Sequence, residues 1–189
     1  MSQLVAFFDA NVFYSNASTD FFMFLIKQNL FRATWSNRVH EEWMEALLKN
    51  YPHLSRENLE RRRDLMNKNG GDCVVVDYEH LVSKLVLPDA NDRHVLAAAI
   101  QAKAQVIVTY NLKDFPLSAT TAYGIEAQHP DEFIMDLTSL APEAVATAAR
   151  EHRASLKNPP KTVDEYLSSL EKQKLTQVVD FLKAYVLLI

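Results

Sequence analysis

Five carboxylates, Asp9, Glu42, Asp89, Asp92 and Asp114, stand where a folded chain could do chemistry with them. Asp9 directly follows the apolar run Leu4-Val5-Ala6-Phe7-Phe8. Asp114 follows a second run, Val106-Ile107-Val108-Thr109, and Asp89 and Asp92 open the Ala-rich stretch that precedes it. Glu42 lies on an amphipathic stretch after Trp35. Carboxylates gathered at one place repel, and some hold their protons unless cations neutralise them. Hard oxygen ligands with no His or Cys companions suit Mg²⁺ or Mn²⁺. Such an ion acidifies a bound water and stabilises charge on a phosphoryl group, so the chemistry suggested is phosphodiester hydrolysis. Each acid also has a plainer reading. Asp9-Ala10-Asn11 can be a turn, Asp89 and Asp92 helix caps, Glu41-Glu42 a solvated helix face, and Asp114 a loop acid.

The elements that must carry these acids follow from apolar periodicity. Residues 4–8 read as a strand buried on both faces. The spacing predicts a helix over 21–30, a short strand over 32–35, and a helix from Ser36 as N-cap to about Asn50. Ser55 caps a further helix, with Leu54 and Leu59 placed as a hydrophobic staple, that ends near Asn69-Gly70-Gly71. Strands are expected at 73–76 and 106–109 and, weakly, at 124–127. Helices are expected at 91–104 and from Pro130 to about Leu137. Strands alternating with helices imply a mainly parallel central sheet in a three-layer α/β/α fold. In such sheets ligands bind beyond the carboxyl ends of the strands. From about residue 141 the pattern is helix only, broken at Asn158-Pro159-Pro160, with Thr162 and Glu165 as a capping box. The last helix is expected over 173–188. Two parts follow: 1–137 as the catalytic domain and 138–189 as a C-terminal helical extension.

Composition excludes other classes. With 3 glycines among 189 residues, a Gly-rich phosphate loop has almost no material, and neither G-x-G-x-x-G nor a Walker pattern occurs. Cys73 is the single cysteine, so an internal disulfide is impossible; beside Val74-Val75-Val76 it reads as a buried strand thiol. No apolar run approaches the roughly 20 residues of a membrane helix. No basic segment precedes an apolar stretch at the N-terminus, so a signal peptide is not expected and a cytoplasmic location is. The net charge of −4 supplies no global attraction for nucleic acid. Arg61-Arg62-Arg63, with Arg56 and Lys68, is the densest basic group; it reads first as solvated surface and second as an RNA contact.

Four motifs in order resemble the PIN-domain family, in particular its VapC-type toxins. Asp9-Ala10-Asn11-Val12 after an apolar strand is similar to the opening motif. The segment 36–43 resembles the helix bearing the second acid, matched by Glu42 with Glu41 as the neighbouring alternative. The segment 88–97 resembles the third motif, with Asp92 as the match and Asp89 as a helper. The segment 106–115, ending Asn111-Leu112-Lys113-Asp114-Phe115, resembles the fourth. Residues 138–189 lie outside these motifs. The resemblance implies a PIN-like fold and a Mg²⁺- or Mn²⁺-dependent endoribonuclease acting on single-stranded RNA. It implies that Asp9, Asp92 and Asp114 bind metal, that Glu42 is an outer ligand or orients the water, and that Asn11, Thr109 and Asn111 orient ligands or water. It also implies a small antitoxin as partner and a homodimer.

Two alternatives, one an enzyme and one not, fit less well. Phosphatases with an aspartate nucleophile show Asp-x-Asp, and here position 11 is Asn. A response-receiver domain wants an acidic pair at the first strand, and Asp9 has only Phe8 and Ala10 beside it. A third alternative is a catalytically silent PIN fold that binds RNA or protein.

Overall fold

The computed structural model describes residues 3–189. These form two compact units: the chain up to Tyr14 with Phe31–His129, and Ser15–Leu30 with Pro130–Ile189.

The first unit is built on five strands, β1 (Val5–Phe8), β2 (Arg32–Ser36), β3 (Val74–Val75), β4 (Val106–Val108) and β5 (Glu126–Gln128), in the order β3-β2-β1-β4-β5. Every neighbouring pair is parallel. The two central strands are the most apolar: Ala6, Phe7, Phe8, Ile107 and Val108 are fully buried. Burying a Phe, Ile or Val side chain is worth roughly 1.5–3 kcal/mol, which places these segments at the centre of the sheet. Helices α2 (Asn37–Asn50), α3 (Arg56–Gly70) and α5 (Arg93–Gln101) flank the sheet; α5 packs on β1, β2 and β4, while α2 and α3 pack on β2. Two single-turn helices, α4 (Glu79–Val82) and α6 (Leu117–Thr120), fill the connections. The three-layer α/β/α arrangement and its parallel sheet are therefore as expected.

Local signals explain most boundaries. Ser36 and Ser55 accept the backbone N–H groups of Val39 and Asn58, starting α2 and α3 as read from the sequence. α3 ends at Gly71 with φ +70°. Gly70 matters for another reason: a Cβ there would stand 2.8 Å from both Cys73 Sγ and the Trp35 ring. Cys73 is buried as expected, and burial pushes its thiol up to about 11. It lies just before β3, which is shorter than the expected strand. The Ala-rich helix is also shorter. Asp89 accepts the Asn91 N–H and winds Ala90–Asp92 into a 3-10 turn before α5 begins. Beyond α5, Lys103 is left-handed at φ +54°, which ends the helix.

The second unit contains α1 (Asn16–Lys27), α7 (Pro130–Leu140), α8 (Pro142–Ser155), α9 (Val163–Glu171) and α10 (Thr176–Lys183). α1 starts earlier than its apolar spacing suggested, because Ser15 caps it by accepting from Ser18. Phe21, Phe22, Leu25 and Ile26 of α1 are buried, and α1 packs chiefly on α8. The boundary expected at 137 falls inside α7. The Thr162–Glu165 capping box forms as read. α10 is shorter than expected: Lys174 is left-handed at φ +61°, and Asp131 accepts the N–H groups of Gln177 and Val178 at 2.9 and 3.0 Å. Its apolar stripe, Val178, Val179 and Leu182, is buried. Among the described residues no helix is long and apolar enough to cross a membrane.

Candidate functional site

The sheet order gives the site its place. From β1 the chain moves one way to β2 and β3, and β4 and β5 lie on the other side. The carboxyl ends of β1 and β4 thus border the crevice where a parallel sheet binds ligands. Phe8 pairs with Val108, so the next residues, Asp9 and Thr109, emerge side by side.

Asp9 is 6% exposed and is held from three sides. Its Oδ1 accepts the Ala10 N–H at 2.7 Å, capping a 3-10 turn over Ala10–Phe13. Its Oδ2 accepts from Asn11 Nδ2 at 2.6 Å and from the Thr109 hydroxyl at 2.7 Å. Thr109 Oγ1 in turn accepts from Asn11 Nδ2 at 2.9 Å and from the Asn111 N–H at 3.0 Å. Asn11 Oδ1 accepts the Tyr110 N–H at 3.1 Å. The three supporting polar residues thus form one clamp across β1 and β4. Burial raises the Asp9 carboxyl above its ordinary value, against the lowering effect of the Thr109 and Ala10 bonds.

Asp92 closes the 3-10 turn before α5. Burial first, then the charges of Asp9, Asp114, Asp89 and Glu42, push its carboxyl up to about 7. The acids read from distant parts of the sequence thus lie near enough to Asp92 for their charges to act on it. Asp114 is 9% exposed, in a 3-10 turn over Leu112–Asp114, and its carboxylate accepts from Asn111 Nδ2. Glu42 projects from α2, with its Oε1 3.3 Å from Arg38 Nε and 2.7 Å from His94 Nε2. The neighbouring acid Glu41 pairs instead with Arg56 of α3. Asp9, Glu42 and Asp92 line one cavity of about 470 Å³.

The basic group does not form one face. Arg61 pairs with Glu57 and Arg63 with Asp64. Arg62 is turned inward: it donates to the Phe13 carbonyl at 2.7 Å, and its guanidinium lies 4.7 Å over the Trp43 ring. Sequence reasoning missed His94, 1% exposed beside Glu42. It also missed the aromatic wall of the cavity, Tyr14, Trp43 and Tyr110. Trp43 follows Glu42 directly, but its helical spacing marks it as core, and the core reading is also true: it is buried.

The donor set is oxygen-rich and suits a hard divalent cation. Among the described residues no three His, Cys, Asp or Glu side chains converge as a ready cage. An ion that keeps several waters and takes one or two carboxylates, as Mg²⁺ does, fits such a set.

Comparison with known proteins agrees with this geometry. A family model described as "PIN domain" matches residues 5–113. A second, described as "VapC50 C-terminal domain", matches residues 130–184. The chain is 44% identical over 82 residues to "Putative ribonuclease VapC50" of Mycobacterium tuberculosis (strain ATCC 25618 / H37Rv), a stretch covering 43% of this chain and 48% of that protein. The match thus spans about half the length of the curated relative. No solved structure matches. With its first model covering more than half of the sequence, the chain belongs to the PIN-domain family.

Proposed function

We propose that the protein is a divalent-metal-dependent endoribonuclease that hydrolyses phosphodiester bonds in single-stranded RNA, acting as a VapC-like toxin. The observation that carries this reading is that Asp9, Glu42 and Asp92, from three separate parts of the chain, line one cavity beside the end of β1. A relative named as a ribonuclease supports it.

Asp9, Asp92 and Asp114 would hold the cation, Mg²⁺ or Mn²⁺, directly or through water. A bound cation would supply an acidified water and offset charge on the phosphoryl group. Glu42, at the cavity wall, would orient the attacking water and take its proton. Asn11, Thr109 and Asn111 fix the carboxylates by the hydrogen bonds described above. Asp89 holds the turn that presents Asp92. Arg61 and Arg63, already paired with acids, would give the RNA backbone only exchangeable contacts. A small antitoxin, a second copy of the chain and a cytoplasmic setting belong to the same reading.

The test is incubation of the full chain with an unstructured RNA in Mg²⁺, in Mn²⁺ and in chelator. Cleavage that requires the metal is the expected result. Equal cleavage in chelator overturns the mechanism. No cleavage of several unrelated RNAs favours the silent binding module.

A further inference from the structure

We propose that the cavity beside the acids is a nucleobase subsite, in which one unpaired base of the strand stacks against Tyr14 and Tyr110 while the neighbouring phosphate lies at the carboxylates. The inference rests on the nuclease reading and names the part of the substrate that the cavity takes.

The cavity's lining combines two chemistries. Asp9, Glu42 and Asp92 are acidic, while Tyr14, Trp43, Ala46 and Tyr110 give it an aromatic and apolar surface. No Lys or Arg lines it among the described residues. An anionic phosphate therefore finds no cationic side chain on the wall and can approach only where a cation offsets the acids. A base carries no charge and presents a flat face, which is what an aromatic wall accepts. The volume of about 470 Å³ falls within the roughly 300–1,000 Å³ typical of small-ligand sites.

The wall is also held in place before any ligand arrives. Trp43 Nε1 donates to His40 Nδ1 at 3.0 Å. That bond leaves the His40 proton on Nε2, which stands 2.9 Å from Asn67 Oδ1 as a donor. Trp35 Nε1 donates to the same oxygen at 2.8 Å. With Arg62 covering its ring, Trp43 is a fixed backing rather than a mobile side chain. Tyr14 accepts from Asn50 Nδ2 at 2.8 Å, so its hydroxyl end is tied to α2. The Tyr110 backbone is fixed by Asn11, and its ring meets His129 edge-on at 5.0 Å. Tyr14 and Tyr110 are each only half-buried. A surface ordered in advance loses little freedom on binding.

Asn11 has no amide proton left to donate to a base edge. Its amide donates to Asp9 and Thr109, and its oxygen accepts from Tyr110. With Tyr14, Trp43 and Tyr110 in its lining, the subsite grips chiefly by stacking and tolerates different bases, the larger purines best.

The probes are adenosine 5′-monophosphate, uridine 5′-monophosphate and ribose 5-phosphate, none of which contains a phosphodiester bond to cut. Each is titrated into the full chain in Mg²⁺ by calorimetry or NMR. Stacking one base is expected to strengthen binding by about 5- to 140-fold over ribose 5-phosphate. Tyr14→Ala and Tyr110→Ala should remove most of that difference, and Tyr14→Phe should keep it. Equal binding of all three, no binding of any at millimolar concentration, or a difference that survives both alanine variants overturns the subsite. A parallel RNA digestion separates the two readings. Cleavage without base-dependent binding removes the subsite alone. Base-dependent binding without cleavage keeps the subsite and removes the nuclease.

Discussion

Replacing Asp92 with Asn keeps its size and removes the charge that Asp9, Asp114, Asp89 and Glu42 oppose. Its folded carboxyl lies near 7 against an ordinary 3.8. A raised carboxyl favours the folded state fully below the ordinary value, and that stability is lost as pH rises through about 7. Asp92→Asn should therefore abolish RNA cleavage yet raise the melting temperature, with a larger gain at pH 8 than at pH 5. Unchanged stability at pH 8 would mean that the acids are not crowded. The same sign governs metal: a cation that binds only the folded protein stabilises it by mass action. Saturating Mg²⁺ should raise the melting temperature more at pH 8 than at pH 5, where protons already relieve the repulsion. Asp9→Asn is a different experiment. Both Asp9 oxygens accept hydrogen bonds, so an amide nitrogen would face a donor. That variant should lose activity and some stability together. Glu42→Gln should impair cleavage more mildly, and Glu41→Gln, which only breaks the pair with Arg56, should leave it near wild type.

At the scale of elements, Gly70 reverses the usual rule. Gly→Ala inside a helix ordinarily stabilises by up to about 1 kcal/mol. Here the new methyl would press on Cys73 and the rigid Trp35 ring at 2.8 Å. Gly70→Ala should destabilise by roughly 1–3 kcal/mol, read as a lower urea midpoint. The sequence shows only that Gly70 lies near a helix end; the close approach appears once β2 and α3 are packed. The acids stand out in the sequence as candidates because each sits beside a signal with a physical cause: Asp9 after a doubly buried strand, Asp92 before an Ala-rich helix, Glu42 within two turns of the Ser36 cap. The aromatic wall does not. Whether Tyr14 faces a cavity depends on the 3-10 turn that Asp9 caps, and that turn is itself set by contacts across the sheet. β3 and α10 were read too long because apolar spacing continues past the point where the backbone turns at Lys174 or pairing stops at Val75.

For the whole molecule, the notable departure from the sequence reading is where α1 belongs. Periodicity identifies an amphipathic helix but not its partner, and α1 was read as part of the α/β domain. Its buried face, Phe21, Phe22, Leu25 and Ile26, is assigned instead to the unit that ends the chain, with Lys27 paired to Glu151 at 2.8 Å. A chain cut at residue 137 would retain every candidate acid, lose α8, α9 and α10, and end inside α7. It should aggregate, because the four apolar side chains of α1 would lose their cover. Sedimentation of that truncated chain beside the full one measures this. If it stays monomeric and soluble with only cleavage lost, the helical extension belongs to the substrate site instead.

The same connectivity sets an order of events at the ribosome. Lys27 and Glu151 are separated by 124 positions, which at 5–20 residues per second takes about 6 to 25 s to synthesise. During that interval α1 has been made and α8 has not. The nascent chain therefore exposes Phe21, Phe22, Leu25 and Ile26 through most of its own translation, a window in which holdase chaperones have a hydrophobic handle that is buried in the finished protein.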